Sequence, residues 1–126
     1  MKVTTLITTA DDCPNKWDCP SVHDLDVDPE RRYVVSKQAT AAEHAIFRDL
    51  LEAGDIVGWL PAGFLDERNA LFDRTRHVAD EVLDPVRRYV IISAVRDPLV
   101  LAHFGDLVSR NEQLGTVPAR DLAVIA

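Results

Sequence analysis

Three side chains with metal-binding or nucleophilic chemistry stand close together near the start of the chain. They are Cys13, Cys19 and His23, in the segment DDCPNKWDCPSVHD at residues 11–24. The C-x5-C-x3-H spacing offers two thiols and an imidazole, a soft donor set of the kind zinc prefers. Structural zinc sites, however, use tighter cysteine pairs and a fourth ligand, which here would have to be His44, His77, His103 or an acid. The residues therefore favour a proline-braced loop with small buried thiols and an exposed histidine, and no cofactor; zinc is the disfavoured alternative. A disulfide could close the loop, but a cytosolic chain keeps its thiols reduced. Trp17, between Lys16 and Asp18, is the indole best placed for an exposed contact. Trp59 is expected in the core of its own half.

Two arginine pairs are the next candidates: Arg31 with Arg32, and Arg87 with Arg88. Planar guanidinium forks suit phosphates or carboxylates, and two such pairs could grip two anions. Strand alternation sends the members of a pair to opposite faces, so at most one of each points into a shared site. The preferred account is structural, with one arginine paired to Asp28 or Asp84 and the other solvated.

Signatures of catalysis are missing. The chain has no G-x-S-x-G, H-E-x-x-H, Walker loop or G-x-G-x-x-G. Pairs such as His44 with Glu43 or His77 with Asp73 read as polar side chains turned to solvent. The expectation is a protein that is not an enzyme.

The arginine pairs belong to a longer repetition. DPERRYVV at 28–35 returns as DPVRRYVI at 84–91. A shift of 56 residues aligns 22–36 with 78–92 at eight identities in fifteen positions. A shift of 57 aligns 45–65 with 102–122 at eight in twenty-one. Unrelated segments agree at roughly one position in fifteen, so the sequence implies an internal tandem duplication. The histidines do not recur: His23 faces Ala79, His44 faces Leu101 and His103 faces Ile46. Trp59 faces Thr116.

Each copy reads strand, turn, strand, helix, strand, short helix. Asp-Pro supplies turn chemistry, and the Tyr-Val runs are buried strands. Apolar residues at helical spacing follow, from Ala45 to Leu51 and from Leu99 to Val108. Gly54 is expected to end the first helix and Arg110-Asn111 the second. IVGWL at 56–60 and QLGTV at 113–117 are strands, with Pro-Ala opening a new helix after each. At the join, apolar spacing predicts a helix over 63–74, whereas the repeat demands a strand near 76–81; residues 75–82 stay open between helix and strand. The fold class is α+β, one compact domain over 1–126. Two repeats, about 20–66 and 76–126, pack about a pseudo-twofold axis, and 1–19 form an N-terminal strand and the cysteine loop.

The totals narrow the function classes. The formal charge is −7, so the chain gains no general attraction to a phosphate backbone and direct nucleic-acid contact is disfavoured. No apolar stretch approaches the roughly 20 residues that span a bilayer, and MKVTTLITTA lacks the run of a secretory signal. The expected location is cytoplasmic, with no membrane partner.

CPSVHDLD at 19–26, RRYVVSKQ at 31–38 and the closing LPAGFL at 60–65 resemble a group of small uncharacterised actinobacterial proteins. Their pattern is Cys-Pro-x-Val, a strand ending Val-Val-Gln-Gly, a helix, and a closing Val-Pro-x-x-Leu. The resemblance covers about residues 11–66, with Ser36-Lys37 in place of Gln-Gly and no cysteine in the second copy. Those proteins are associated with helix-turn-helix regulators, so the resemblance implies a regulatory accessory role and such a regulator as partner. The leading expectation is thus a non-catalytic regulatory accessory or protein-binding module, acting as a monomer or homodimer. The alternatives are a transcription-associated factor touching DNA through its arginines, and a metal or small-ligand sensor built on Cys13, Cys19 and His23.

Overall fold

In the computed structural model, which describes residues 1–8, 20–76, 78 and 86–123, six antiparallel strands form one sheet: β1 Val3–Thr8, β2 Ser21–Leu25, β3 Arg31–Gln38, β4 Asp55–Pro61, β5 Arg87–Ala94 and β6 Glu112–Pro118. Two short helices interrupt them, α1 Ala41–Ile46 and α2 Pro98–Phe104. The order is β1-β2-β3-β4-β5-β6, and β3 also pairs with β6, so the last four strands close into a ring. The class is α+β. No described helix is long and apolar enough to cross a membrane.

The ring is built from long and short pairings. Residues 31–37 of β3 pair with 118–112 of β6, and 87–93 of β5 pair with 61–55 of β4. The short pairings are Lys37↔Trp59 and Gln38↔Gly58 on one side, Ser93↔Thr116 and Ala94↔Gly115 on the other. Ala62 N–H donates to the Val86 carbonyl (2.9 Å), and Ala119 N–H to that of Glu30 (2.8 Å).

Each half-turn of the ring needs one residue without a side chain. A Cβ on Gly58 would stand 2.2 Å from Ser36 Oγ, and one on Gly115 would stand 2.4 Å from Ile92 Cδ1. Both are far inside contact distance, so only glycine lets these strands cross.

Strand alternation sorts the apolar residues into three clusters. Val34, Leu60, Val90, Ile92 and Val117 fill the inside of the ring, with Leu65, Leu71, Phe72 and Leu122 across its open parts. Outside, Tyr33, Val35 and Leu114 pack under Val100 and Phe104 of α2. On the other flank Val57, Tyr89 and Ile91 pack under Phe47, which caps α1. The ring of Tyr33 stacks on Phe104 (5.4 Å between centroids) and that of Tyr89 tilts against Phe47 (5.3 Å).

The helices are shorter than their apolar spacing predicts. α1 ends at Ile46 and a 3-10 turn, Arg48–Leu50, follows; Gly54, with φ +85°, turns the chain into β4 instead of ending the helix. α2 stops at Gly105 (φ +39°), well before Arg110-Asn111. The helix expected over 63–74 is not formed: Gly63 has φ +87°, Asp66 accepts from the Arg68 backbone N–H, and only Ala70–Phe72 makes a 3-10 turn. Asx-type turns compete with helix where an acid can cap its own neighbours. The buried Leu65, Leu71 and Phe72 mimic a helical period because these turns lie across the open ring. Where a short helix was expected after each Pro-Ala, residues 62–64 hold no helix and Ala119–Asp121 forms a single 3-10 turn. The strand expected near 76–81 falls largely outside the described residues.

Candidate functional site

Of the cysteine-loop residues, Cys13, Trp17 and Cys19 lie outside the described residues; His23 does not, and it is fully buried in β2. This corrects the expectation of an exposed histidine. Alternation on β2 turns His23 to the face of the sheet covered by α2, where its ring meets Phe104 edge-on at 5.3 Å. Nε2 hydrogen-bonds with Ser21 Oγ (2.7 Å) and Nδ1 with Thr5 Oγ1 (3.0 Å). Burial lowers its pKa to about 4, so the ring is neutral near pH 7. A serine–histidine contact of this length is within reach for nucleophile activation. Here a threonine hydroxyl occupies the place of an orienting acid, and Ser21 itself is buried.

The four arginines fare differently from one another. Arg32 pairs with Asp24 and Arg88 with Glu67. Neither is the solvated partner that was expected, because each side chain lies along the sheet with an acid from a neighbouring segment. Asp84, the acid expected beside Arg87, lies outside the described residues; Glu43 of α1 holds Arg87 at 2.9 and 3.1 Å.

Around Glu43 the structure assembles a tight polar corner. Thr40 and Glu43 form a reciprocal capping box: Glu43 N–H donates to Thr40 Oγ1 and Thr40 N–H to Glu43 Oε1. The same carboxylate accepts from Arg87 and from the Tyr89 hydroxyl. Burial raises the Glu43 pKa, but the hydrogen bonds from Thr40, Tyr89 and Arg87 together outweigh it and leave the pKa below the ordinary value. The Arg87 guanidinium also lies 4.3 Å from the Trp59 ring centroid, a cation–π contact. Trp59 is therefore half-buried between Arg87 and the cluster of Phe47, Val57, Tyr89 and Ile91, not enclosed by residues 20–66 alone. Glu43→Ala leaves the Thr40 cap but removes the other half of the box and the acceptor shared by Thr40 N–H, Arg87 and the Tyr89 hydroxyl. It should cost about 2 kcal/mol in urea unfolding, with Glu43→Gln recovering part of it; a loss under about 0.5 kcal/mol would show the corner to be idle.

The corresponding corner at the other flank is open. The residue matching Glu43 is Val100, that matching Trp59 is Thr116, and Arg31 matches Arg87. Without an indole or a two-pronged acid contact, Arg31 is 61% exposed in its side chain and its ion pair is with Asp28 at 3.9 Å. The Tyr33 hydroxyl turns to Asp28 (2.9 Å), and burial, with that bond second, pushes its pKa up to about 12. A cleft of about 670 Å³ remains, lined by Arg31, Glu30, Ser93, Thr116, Ala119 and Arg120, with Val117 and Pro118 beneath. Its size falls in the range of small-ligand sites. Arg120 is itself exposed and stands 3.9 Å from Asp121.

Sequence reasoning singled out Arg31 but missed the cleft. The signal was the pairing of Trp59 with Thr116: a large residue against a small one at matched positions implies empty space at the smaller. Glu43 was passed over because its partner Arg87 comes from a distant strand. Among the described residues no three His, Cys, Asp or Glu gather where a metal could be held. No protein-family model, no curated protein and no solved structure matches this chain.

Proposed function

We propose that the chain is a tandem duplication whose halves exchange strands about a pseudo-twofold axis, and that it acts as a non-catalytic protein-binding module, a regulatory accessory. The strand registers support the first part. Moving β3 onto β5 and β4 onto β6 carries every pairing of the ring onto another pairing. It also carries the Tyr33–Phe104 contact onto Tyr89–Phe47 and Gly58 onto Gly115.

The observation that carries the functional reading is the difference between the two matched corners. One is filled by the protein's own Trp59 and Glu43; the other leaves Arg31 beside an open cleft. A duplication that diverges in this way keeps one copy as scaffold and frees the other to bind. The helix beside the second copy also presents leucines outward, Leu99 at 67% exposure and Leu101, where α1 has Ala42 and His44. The two leucines, two residues apart, lie on different sides of the helix, and Leu99 is the more exposed; exposed apolar side chains suit a protein partner better than a metabolite.

The test is affinity capture with the full chain, followed by reconstitution from purified components. A stoichiometric partner whose binding falls at least about tenfold in Leu99→Asp is expected. Recovery of no partner, together with turnover of a metabolite by the pure chain, would overturn the reading.

A further inference from the structure

The filled corner shows what chemistry the open one is shaped to receive. Around Arg87 the protein supplies two things: a flat aromatic ring under the guanidinium and a carboxylate against its edge. Around Arg31 the ring is missing and the nearest paired carboxylate is Asp28 at 3.9 Å; Thr116 and Val100 stand at the matched positions, while the strand register is the same. Arg31 faces Pro118 across the strands as Arg87 faces Pro61. The clamp from Ala119 N–H to the Glu30 carbonyl repeats that from Ala62 to Val86.

We propose that the cleft beside Arg31 binds a flat aromatic ring carried next to a carboxylate, the pair that Trp59 and Glu43 present to Arg87. The inference rests on the matched-halves reading above and deepens it by naming the chemistry of the partner's contact. The ring lies over Thr116 and Ala119, under the Arg31 guanidinium. The carboxylate meets the Arg31 edge, with the Arg120 guanidinium at the rim adding a second positive charge. Glu30, the acid in the lining, disfavours ligands with more than one negative charge. Asp28, 3.9 Å from Arg31, holds the guanidinium loosely enough to be replaced by a better-placed carboxylate, since exposed pairs at that distance contribute little.

The same chemistry could come from a free aromatic acid or from adjacent aromatic and acidic residues of a partner segment. Two probes separate these sources: indole-3-acetate, and the capped peptide acetyl-Gly-Trp-Glu-Gly-amide. Both are titrated into the full chain and followed by the backbone amide resonances of Arg31, Thr116 and Ala119. The expected result is saturable movement of these resonances, with indole alone and acetate alone at least about tenfold weaker than indole-3-acetate. Tighter binding of the peptide assigns the occupant to a partner; tighter binding of the free acid assigns it to a small molecule. Arg31→Gln should weaken the carboxylate-bearing probes about tenfold and indole, which loses only the stacking contact, by clearly less. Thr116→Trp should fill the cleft and abolish binding of all probes. If Thr116→Trp does not fold, Arg31→Gln still decides. No movement with either probe at about 10 mM, or equal weakening of indole and indole-3-acetate by Arg31→Gln, overturns the proposal. A silent cleft with a captured partner leaves the module reading intact. A responsive cleft with no partner leaves the cleft intact and removes the module.

Discussion

Gly115→Ala should destabilise the protein by about 3 kcal/mol, well above the effect of an ordinary strand substitution. The added methyl would meet Ile92 at Cδ1 (2.4 Å), Cγ1 (2.5 Å) and Cβ (2.9 Å). The last of these is close to the Ile92 backbone, so rotating the side chain cannot relieve it, and Ile92 is packed inside the ring. Gly58→Ala faces Ser36 Oγ at 2.2 Å and Gln113 Nε2 at 2.9 Å. Those are a small hydroxyl and the end of a flexible chain, so about 2 kcal/mol is expected. The decisive measurement is a double-mutant cycle by urea unfolding. Ile92→Ala opens a cavity and is costly alone, yet combined with Gly115→Ala it removes the two closest clashes, at Cδ1 and Cγ1, and leaves only that at Cβ. The pair should therefore cost less than the sum of the singles by at least about 1 kcal/mol. Additive losses would mean that the close approach at Gly115 is not what requires glycine.

The second large effect is on acid stability and comes from His23. Its pKa is held at about 4 by burial, against about 6.5 in the unfolded chain. Below pH 6.5 the unfolded state takes up a proton that the folded state refuses, so unfolding is favoured as the pH falls. The loss begins near pH 6.5, grows to about 3 kcal/mol near pH 4 and then levels off. Above pH 6.5 His23 contributes no slope. Glu43, whose pKa lies below the ordinary carboxylate value, acts lower: its contribution is full above about pH 4.5 and is lost as the pH falls through its folded value. The interval from pH 5 to 6.5 thus reports on the imidazole. His23→Gln can keep a hydrogen bond with Ser21 but cannot titrate. It should flatten stability across that interval, whatever its effect at pH 7. An unchanged slope in the variant would place the titrating group elsewhere.

Much of the architecture is legible in the residues because repetition acts as an internal alignment. The strands at 31–38, 87–94, 55–61 and 112–118 were each marked by β-branched runs recurring at the same spacing, and the α+β class followed from them. What could not be read was pairing across the chain. Nothing local in RRYVVSKQ says that it lies beside EQLGTVP and not only beside DIVGWLP. Helix lengths were overestimated for a related reason: Phe47 and Phe104 are buried as caps over the sheet, so an apolar period continues past the last helical turn. His23 was misplaced because its burial under α2 depends on β2 pairing with both β1 and β3. At the candidate site, Arg31 was legible as a cation but its isolation was not. That came from what Thr116 and Val100 lack.

The ring has a consequence for how the molecule is made. Positions 31–37 are joined to 112–118, so β3 finds its long partner only after synthesis has passed residue 118. Contacts of such high sequence separation slow folding, and neither 1–76 nor 77–126 carries the complement that its longest strand requires. Expressed as separate pieces, the two should stay unfolded alone and assemble when mixed, a complementation that beads joined by a linker would not show.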